Sequence, residues 1–525
     1  MTVESWRAPW SAITAVWLRH KDLLSNAASL LATTGITSAL GFVYWTFAAR
    51  EFSQQAVGYG SAGVSAMILL GTVGMLGLGT LLIGELPRRT GRAGLVSAAL
   101  LACGLGSLVI GCGFAAVAPH VNARFGVILG TPGRAALFSA GVMLTGVTMV
   151  FDQATIGLLR GGLQLWRNSV LAIIKLLLLP ATAVILHDNF GVGIMLSWIA
   201  GTALSLVLVA IRLRFSGTPV LYRPDWNVLK GLGRTAMAHN WLNLAITMPT
   251  SLTPVLVTVI VSPSANAAFY VATLITNFLF IVPIHLATVL FAVVAAEPKV
   301  VARKLRFALR LSYLIGLPGM AVLILGSHLV LSIFGKGYAA DATVPMCLLT
   351  LSYPSTVPKA LYIAVCRAKG KIARAAVVLS ACSSLEVIAA AVGGAEGGLK
   401  GLSVALLAVR LAEALVTAPP VIRAAFGHGR HRRTELPAIA ASTSTSSGEV
   451  DGSTPHRTDT TTKGKQEAGL AALMMLAARV DATGPLPAIP PDMYDPTLRT
   501  TRRPVEHIAD RAGVVQATDS FQDVP

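Results

Sequence analysis

The sequence predicts an all-α polytopic membrane protein in which about twelve transmembrane helices form two parallel lobes of six, followed by a disordered tail. Three observations lead to this fold class. The chain is 54% hydrophobic and only 13% charged, with a mean hydropathy of +0.68, above the range of soluble domains. The apolar residues fall in long blocks without barrel-like alternation, which indicates helices. Parts of the sequence also recur about 207 residues apart.

Two pairs of arginines carry the clearest part of this internal repeat. Arg160 and Arg167 lie in LLRGGLQLWRN, and Arg367 and Arg374 lie in AVCRAKGKIAR, between long apolar runs in both places. The offset drifts steadily along the chain, as expected for two ancient copies whose loops have changed length, so we interpret the chain as two related halves. Three further matches have similar offsets: Asn26 with Asn240, Gly58-Tyr59 with Phe269-Tyr270, and Phe125-Gly126 with Phe334-Gly335.

Charged breaks between the apolar runs define the predicted spans and regions. We expect a cytoplasmic interfacial helix at 1–22, an N-lobe with spans one to six at 23–215, and a cytoplasmic linker at 216–231. A C-lobe with spans seven to twelve follows at 232–428, and a disordered cytoplasmic tail at 429–525. The spans lie near 24–48, 56–84, 93–118, 135–159, 168–188, 190–212, 232–262, 266–296, 308–334, 342–367, 374–393 and 398–425.

The two ends of the chain differ from the spans in composition. Trp6, Trp10 and Trp17 fall on one helical face, which indicates either a helix lying in the membrane interface or an aromatic anchor for span one. The tail is rich in Ser and Thr and too polar to order itself. Within it, residues 467–480 can form a short amphipathic helix that touches the membrane or a partner.

The positive charges of the short loops set the predicted orientation. Lysine and arginine accumulate in every second connection, and cytoplasmic loops carry this excess, so both termini are expected in the cytoplasm. Because six is even, the halves share one orientation and form parallel repeats, an arrangement used by transporters. The net charge of +18 then reflects this asymmetry and an attraction to anionic membrane lipids, and it does not indicate nucleic-acid binding.

The sequence predicts no cofactor, no metal site and no catalytic centre. The five cysteines lie in or near spans without CxxC spacing, so we interpret them as packing residues. No Walker A loop occurs, and the glycines of span two do not form GxGxxG after a strand. We therefore expect a protein that is not an enzyme and has no ATP site of its own.

Ionisable residues inside the spans are the first candidates for functional groups, since charge in lipid is costly. Arg410 lies near the middle of the last span, and Glu413 follows on the same face; the two either neutralise each other or form a substrate or proton site. Asp152 in span four and Glu386 in span eleven are candidate proton or ion carriers, or partners for nearby basic groups. Lys175 is expected about 10 Å from the cytoplasmic end of span five, close enough to reach the interface.

Polar residues near the span ends are further candidates for substrate binding. Asn26 and Asn240 occupy equivalent points at the starts of the two halves, where their amides bind either sugar hydroxyls or neighbouring helices. Arg50, at the outer end of span one, either holds a phosphate or anchors the span. Arg160 and Arg367 are expected in equivalent cytoplasmic connections, where they orient the helices and, if they contact cargo, collect it at the cytoplasmic mouth.

Three stretches of sequence carry a resemblance to a known family. They are NAASLLATTGITSALGFVYWTFAAREFSQQAVGYGSA, VFDQATIGLLRGGLQLWRN and LSIFGKGYAADATVPMCLLTLSYPSTVPKALYIAVCRAKGK. Together they resemble bacterial polysaccharide flippases of the Wzx type, in the multidrug/oligosaccharidyl-lipid/polysaccharide exporter (MOP) superfamily, over roughly residues 20–425. The resemblance implies a MATE-like fold whose central cavity opens alternately to each side of the bacterial plasma membrane. It also implies cargo made of undecaprenyl-diphosphate-linked oligosaccharide, with a polysaccharide polymerase or glycosyltransferases as candidate partners.

The leading functional hypothesis from the sequence is a flippase that moves this cargo to the outer leaflet for cell-surface polysaccharide synthesis. A diphosphate needs cationic partners and a glycan needs a wet polar cavity, while the lipid tail can stay in the bilayer. One alternative is a cation-coupled exporter of small organic molecules on the same fold. Another is a scaffold that recruits envelope enzymes through its tail and transports nothing.

Overall fold

The computed structural model describes residues 21–88, 92–186, 190–216, 222–296, 301–369 and 371–426. The predicted tail at 429–525 and the tryptophan-bearing part of the predicted interfacial helix lie outside the described residues. The part of the chain that the structure describes is almost wholly helical, which confirms the predicted fold class.

The first half of the chain contains six long helical spans. The second of them is broken into two helices, and a short helix connects the third span to the fourth. The helices are α1 Lys21–Glu51, α2 Gln54–Gly74, α3 Leu78–Glu85, α4 Arg92–Val121, α5 Ala123–Leu129, α6 Pro132–Gly157, α7 Gly161–Leu186 and α8 Val192–Phe215.

The second half repeats this arrangement. Part of the predicted linker forms a short helix, and a π-helical turn at Val257–Val261 continues the seventh span. The helices are α9 Trp226–Gly231, α10 Gly233–Leu256, α11 Pro263–Ala296, α12 Val301–Leu325, α13 Ser327–Ser332, α14 Lys336–Leu351, α15 Tyr353–Ala368 and α16 Ile372–Phe426.

Nine helical segments of the described chain are long and apolar enough to cross a membrane. One of them, α16, contains two spans, because Gly397 and Gly398 leave helical geometry and Gly398 has a φ of 58°. Helix α1 and the consecutive pair α14 and α15 supply the other two. Each of the twelve predicted spans therefore coincides with a helix or with consecutive helices.

The break in the second span was not predicted. Leu76 and Gly77 have φ values of 51° and 70°, which end α2 and start α3. A Cβ on Gly77 would lie 1.9 Å from the Ala236 carbonyl oxygen, so only glycine lets this turn approach α10 so closely. The break in the second span is thus a point of close contact between the two halves.

Two lobes form and share part of their apolar core, because one buried cluster joins Tyr44 and Phe52 of the N-lobe to Phe269 and Phe334 of the C-lobe. In the N-lobe, α4 packs on α6, and α7 lies between α1 and α8. In the C-lobe, α15 packs against α11 and α16, and α14 packs against α11. The lobes meet where α2 contacts α10 and α11.

The lobes are joined tightly at the end of the bundle that carries Arg124, called the Arg124 end. One guanidinium nitrogen of Arg124 donates hydrogen bonds to the carbonyls of Thr258, Val259 and Val261, at 2.9, 2.8 and 3.1 Å. Buried Asn266 donates from Nδ2 to the Gly58 carbonyl at 2.8 Å. These contacts cross from one lobe to the other and close this end.

Replacing Arg124 with Gln is expected to favour opening at the Arg124 end. Charge-assisted hydrogen bonds of this kind contribute roughly 1.5–3 kcal/mol, so the open fraction should rise at least about tenfold. Maleimide labelling of a Ser61→Cys probe in an otherwise cysteine-free chain measures this, since Ser61 is buried against Asn266. Arg134→Gln is the matched control, because Arg134 bonds the Val127 carbonyl of its own lobe. Equal labelling of Ser61→Cys with and without Arg124→Gln would contradict the role of Arg124 in keeping this end closed.

Candidate functional site

Two cavities lie along the inner faces of the lobes. The C-lobe cavity, of about 360 Å³, is bordered by α10, α11, α15 and α16. The N-lobe cavity, of about 390 Å³, is bordered by α1, α7 and Trp198 on one side and by α11 on the other. Asn277 of α11 lines both cavities, which places the two spaces side by side at the lobe interface.

Four of the charged side chains that line the C-lobe cavity form one cluster. Lys359 of α15 donates to Glu386 Oε1 at 2.6 Å and to Glu413 Oε2 at 2.8 Å. Arg410 donates from Nε to the other Glu386 oxygen at 3.2 Å and from Nη1 to the Ser352 hydroxyl at 3.1 Å. Two cations thus face two carboxylates, and the cluster is neutral when all four are charged.

The bend in α16 brings the two carboxylates of this cluster together. Glu386 lies before Gly397 and Gly398, and Glu413 lies after them, so the two arms run side by side. A Cβ on Gly393 would lie 2.7 Å from the Gly401 carbonyl oxygen, which shows how closely the arms approach. Without this close turn, Lys359 could not bind both carboxylates.

The structure contradicts one of the two sequence-based interpretations of this cluster. Arg410 and Glu413 share a cavity but do not neutralise each other: Arg410 bonds Glu386, and Glu413 bonds Lys359. Geometry explains the difference, because α15 and the opposite arm of α16 bring a cation to each carboxylate more directly than a neighbour on its own arm does. The alternative, a substrate or proton site, stays a prediction. Lys359 was missed, although a lysine in the apolar run TVPKALYIAV is the same signal that identified Arg410.

A second charged group lies in the N-lobe. Asp152 of α6 forms a 2.9 Å salt bridge with Arg167 of α7, and Asn168 Nδ2 donates to the same carboxylate oxygen at 3.2 Å. Asp152 is therefore a partner for a basic group. The predicted start of span five at residue 168 left Arg167 in the cytoplasmic connection before it. Helix α7 begins earlier, at Gly161, so Arg167 falls inside the helix and is only 2% exposed.

Lys175 also differs from its expected position. Counted from Gly161, it lies about 21 Å along α7, far from the helix start. Its side chain is buried, and its ammonium lies 3.9 Å from the centre of the Trp198 ring and 4.8 Å from that of Tyr44. The prediction that Lys175 extends to the membrane interface was wrong, because these two rings hold it at the N-lobe cavity.

The two charged groups fall at matching positions of the internal repeat. Asp152 and Lys359 are separated by the same spacing, about 207 residues, as the paired arginines, so they occupy equivalent points of the two halves. One position carries a carboxylate and the other an ammonium, and each is ion-paired. The two halves therefore carry opposite charges at this matching position.

The other sequence-predicted residues are spread along the bundle. Arg50 lies at the Arg124 end and donates from Nε to the Ile333 carbonyl at 2.8 Å, across the lobe boundary. Buried Asn240 donates to the Val73 carbonyl at 3.3 Å, beside the break in the second span. Arg160 and Arg367 are exposed at the opposite end, and Arg367 also borders the C-lobe cavity. Asn26 lies in α1, but its side chain is outside the described residues.

No protein-family model matches the chain, and no curated protein matches its sequence. Solved structures do match its fold. The lipid II flippase MurJ in an inward closed conformation aligns with a TM-score of 0.59 and 12% identity, over 76% of this chain and 90% of that chain. An inward-facing multidrug resistance MATE family transporter of the MOP superfamily aligns at 0.55 and 14%, over 75% and 98%. A MOP superfamily transporter from Pyrococcus furiosus aligns at 0.53 and 13%, over 78% and 98%.

Proposed function

We propose that this chain, which shares the fold of MOP superfamily transporters, is a flippase for undecaprenyl-diphosphate-linked oligosaccharides. It would work by alternating access in the bacterial plasma membrane and serve cell-surface polysaccharide synthesis. The resemblance to Wzx-type flippases supports this cargo, and the described fold suits a transporter rather than an enzyme. Both termini lie in the cytoplasm in this proposal, so the Arg124 end faces outward.

One observation carries the proposal: two cavities that each contain charged side chains adjoin at the lobe interface, while contacts between the lobes close the Arg124 end. Asn277 connects the cavities, and Arg124 and Asn266 hold the far end shut. An elongated polar headgroup can enter such a space from the cytoplasmic leaflet while its lipid tail stays in the bilayer. Rocking of the lobes would then open the Arg124 end and release the headgroup outside.

The sequence-predicted residues take different roles in this mechanism. Arg160 and Arg367, exposed at the cytoplasmic end, attract the diphosphate as it arrives. Glu386, Glu413 and Arg410, with Lys359, form the coupling site, whose ion pairs rearrange when a proton or cation arrives. Asp152 binds Arg167 and Asn168, and Asn168 lines the N-lobe cavity. Arg50 and Asn240 hold contacts between the lobes, and Asn26 stays a candidate for glycan binding.

A transport assay with the purified chain in sealed vesicles tests the proposal. Undecaprenyl-diphosphate-linked oligosaccharide with a fluorescent sugar should cross to the far leaflet, where a membrane-impermeant reagent detects it. Undecaprenol without the diphosphate should cross at the rate of empty vesicles. We expect the charge-reversing variant Arg367→Glu to slow entry at low salt, because it repels the approaching diphosphate, and 0.5 M salt to reduce the difference by screening, as expected for roughly a 4–5 Å Debye length. No transport above that of empty vesicles would overturn the function.

The pair of buried carboxylates favours a second candidate function, cation-coupled export of small organic molecules. Glu386 and Glu413 border the C-lobe cavity, which apolar side chains such as Phe280 and Ile284 also line, and acidic groups suit cationic cargo. Deletion of the gene should then increase drug sensitivity while surface polysaccharide stays normal. The opposite pattern, lost polysaccharide with unchanged drug sensitivity, supports the flippase.

A further inference from the structure

The cations of the two cavities differ in how their charge is compensated. In the C-lobe cavity, Lys359 and Arg410 share two carboxylates, Glu386 and Glu413. In the N-lobe, Asp152 is bound to Arg167. Lys175 is left with aromatic rings alone: among the residues that the structure describes, no carboxylate or hydrogen-bond acceptor contacts its ammonium. Only 7% of this residue is exposed, so it is a buried charge without an anion.

We propose that Lys175 binds the diphosphate of the cargo in the N-lobe cavity, and that the neutral C-lobe cluster does not. This inference rests on the proposed function, since it names the contact through which that cargo is held. An unpaired buried cation destabilises the folded protein, so a buried cation without a partner usually has a function. A phosphate oxygen supplies the missing anion and accepts a charge-assisted hydrogen bond.

The surroundings of Lys175 hold the ammonium ready for an anion. The Tyr44 hydroxyl lies 2.8 Å from Ser197 Oγ, and it donates to the Ile194 carbonyl at 3.2 Å, so the ring beneath Lys175 is fixed. Trp198 covers the ammonium at 3.9 Å. Ring faces stabilise a cation without using its N–H groups as a carboxylate would. The N–H donors that face the cavity, which Lys175 lines, therefore stay available to phosphate.

The same cavity offers groups for the sugar next to the diphosphate. Trp45 and Ser38 border it on α1, and Asn277 borders it on α11. Asn277 is exposed to the cavity and also faces the C-lobe space, so its amide can bond sugar hydroxyls at the passage between the two. The structure thus orders the cargo: diphosphate at Lys175, first sugars at Asn277, and the rest of the glycan toward the C-lobe cavity.

Binding to the full chain in lipid nanodiscs tests this inference. The probes are undecaprenyl diphosphate, inorganic pyrophosphate and neutral undecaprenol. We expect Lys175→Gln to weaken undecaprenyl diphosphate binding about tenfold or more, while Lys175→Arg stays within about threefold. Lys230→Gln, at an exposed lysine of α9, is the matched control and should bind like the unmodified chain. Undecaprenol should not distinguish the variants.

The two diphosphate probes identify the source of the anion. Tighter, Lys175-dependent binding of undecaprenyl diphosphate than of pyrophosphate supports a lipid headgroup, and equal affinity supports free diphosphate at the same site. Unchanged affinity of Lys175→Gln for both probes overturns the inference. Thermal stability gives a second readout: Lys175→Met should melt no lower than the unmodified chain, because it removes a buried unpaired charge. A clear loss of stability would show that Lys175 is structural and would also overturn it.

Failure of this inference can be told apart from failure of the proposed function. If the unmodified chain binds diphosphate through Lys175 but moves no lipid-linked oligosaccharide in vesicles, the site stands and the function fails. If it moves the cargo, and Lys175→Gln binds and moves it equally well, the function stands and the inference fails.

Discussion

Lys359→Met is expected to destabilise the C-lobe strongly. The substitution leaves Glu386 with Arg410 but removes the only cation that the structure places against the Glu413 carboxylate, whose side chain is 3% exposed. Removing one partner of a buried ion pair typically costs roughly 3–5 kcal/mol, because the remaining charge stays buried and unpaired. The melting midpoint of the purified chain should therefore fall by several degrees, which a thermal denaturation scan measures.

A double variant separates charge from packing in this experiment. Lys359→Met with Glu413→Gln removes both members of the pair and keeps similar volumes, so most of the lost stability should return. Transport should not return, because the rearranging ion pairs of the proposed coupling site are gone. Lys371→Met, at an exposed lysine directly before α16, is the control and should melt like the unmodified chain. A double variant less stable than Lys359→Met would show that the cluster is not held by charge pairing.

The sequence predicted the helices well and the charge partners poorly. Long apolar runs predict where a chain crosses a membrane, because each span must satisfy its own backbone, and that rule needs only local sequence. The pairing of Lys359 with Glu386 and Glu413 depends on how α15 meets the two arms of α16. That contact joins residues far apart in the chain, and hydropathy carries no signal for it.

The failures at Arg167 and Lys175 have a single physical cause. Both residues lie in α7, and the prediction started that span at residue 168, seven residues after its observed start at Gly161. The prediction took charged residues as the end of a span. The helix instead continues through charged residues where neighbouring side chains of the same lobe bury them. Asp152 does this for Arg167, and the Trp198 and Tyr44 rings do it for Lys175. Apolar length alone therefore underestimates a helix with charge facing its own bundle.

Closure of the Arg124 end depends on Gly58, a role that the sequence pattern did not predict. Gly58 of α2 lies against the start of α11, and a Cβ there would lie 1.8 Å from the Pro263 carbonyl oxygen. Its own carbonyl accepts the hydrogen bond from Asn266. Because the obstacle is backbone, no side-chain rotation can relieve it. The lobes can close at this end only while position 58 lacks a side chain.

Gly58→Ala is therefore expected to hold the lobes apart at the Arg124 end and to reduce transport at least about fivefold. Overpacking typically costs about 1–3 kcal/mol, which shifts such an equilibrium by roughly five- to 150-fold. Spin labels are placed at Glu51→Cys and Lys336→Cys, two exposed positions on opposite lobes. Pulsed electron paramagnetic resonance should show a longer distance between them in Gly58→Ala than in the chain with glycine at position 58. Vesicle transport measured in parallel should fall.

Two other glycines make this result specific. Gly113→Ala, where no atom lies within 4 Å of the new methyl group, should leave the label distance and transport unchanged, since alanine favours helix more than glycine. Gly74→Ala places a methyl group 2.5 Å from the Ser107 Cα inside the N-lobe, so it should lower stability without moving the lobes. If Gly58→Ala lowers stability but keeps the unmodified label distance, Gly58 serves packing alone, and closure at the Arg124 end is controlled elsewhere.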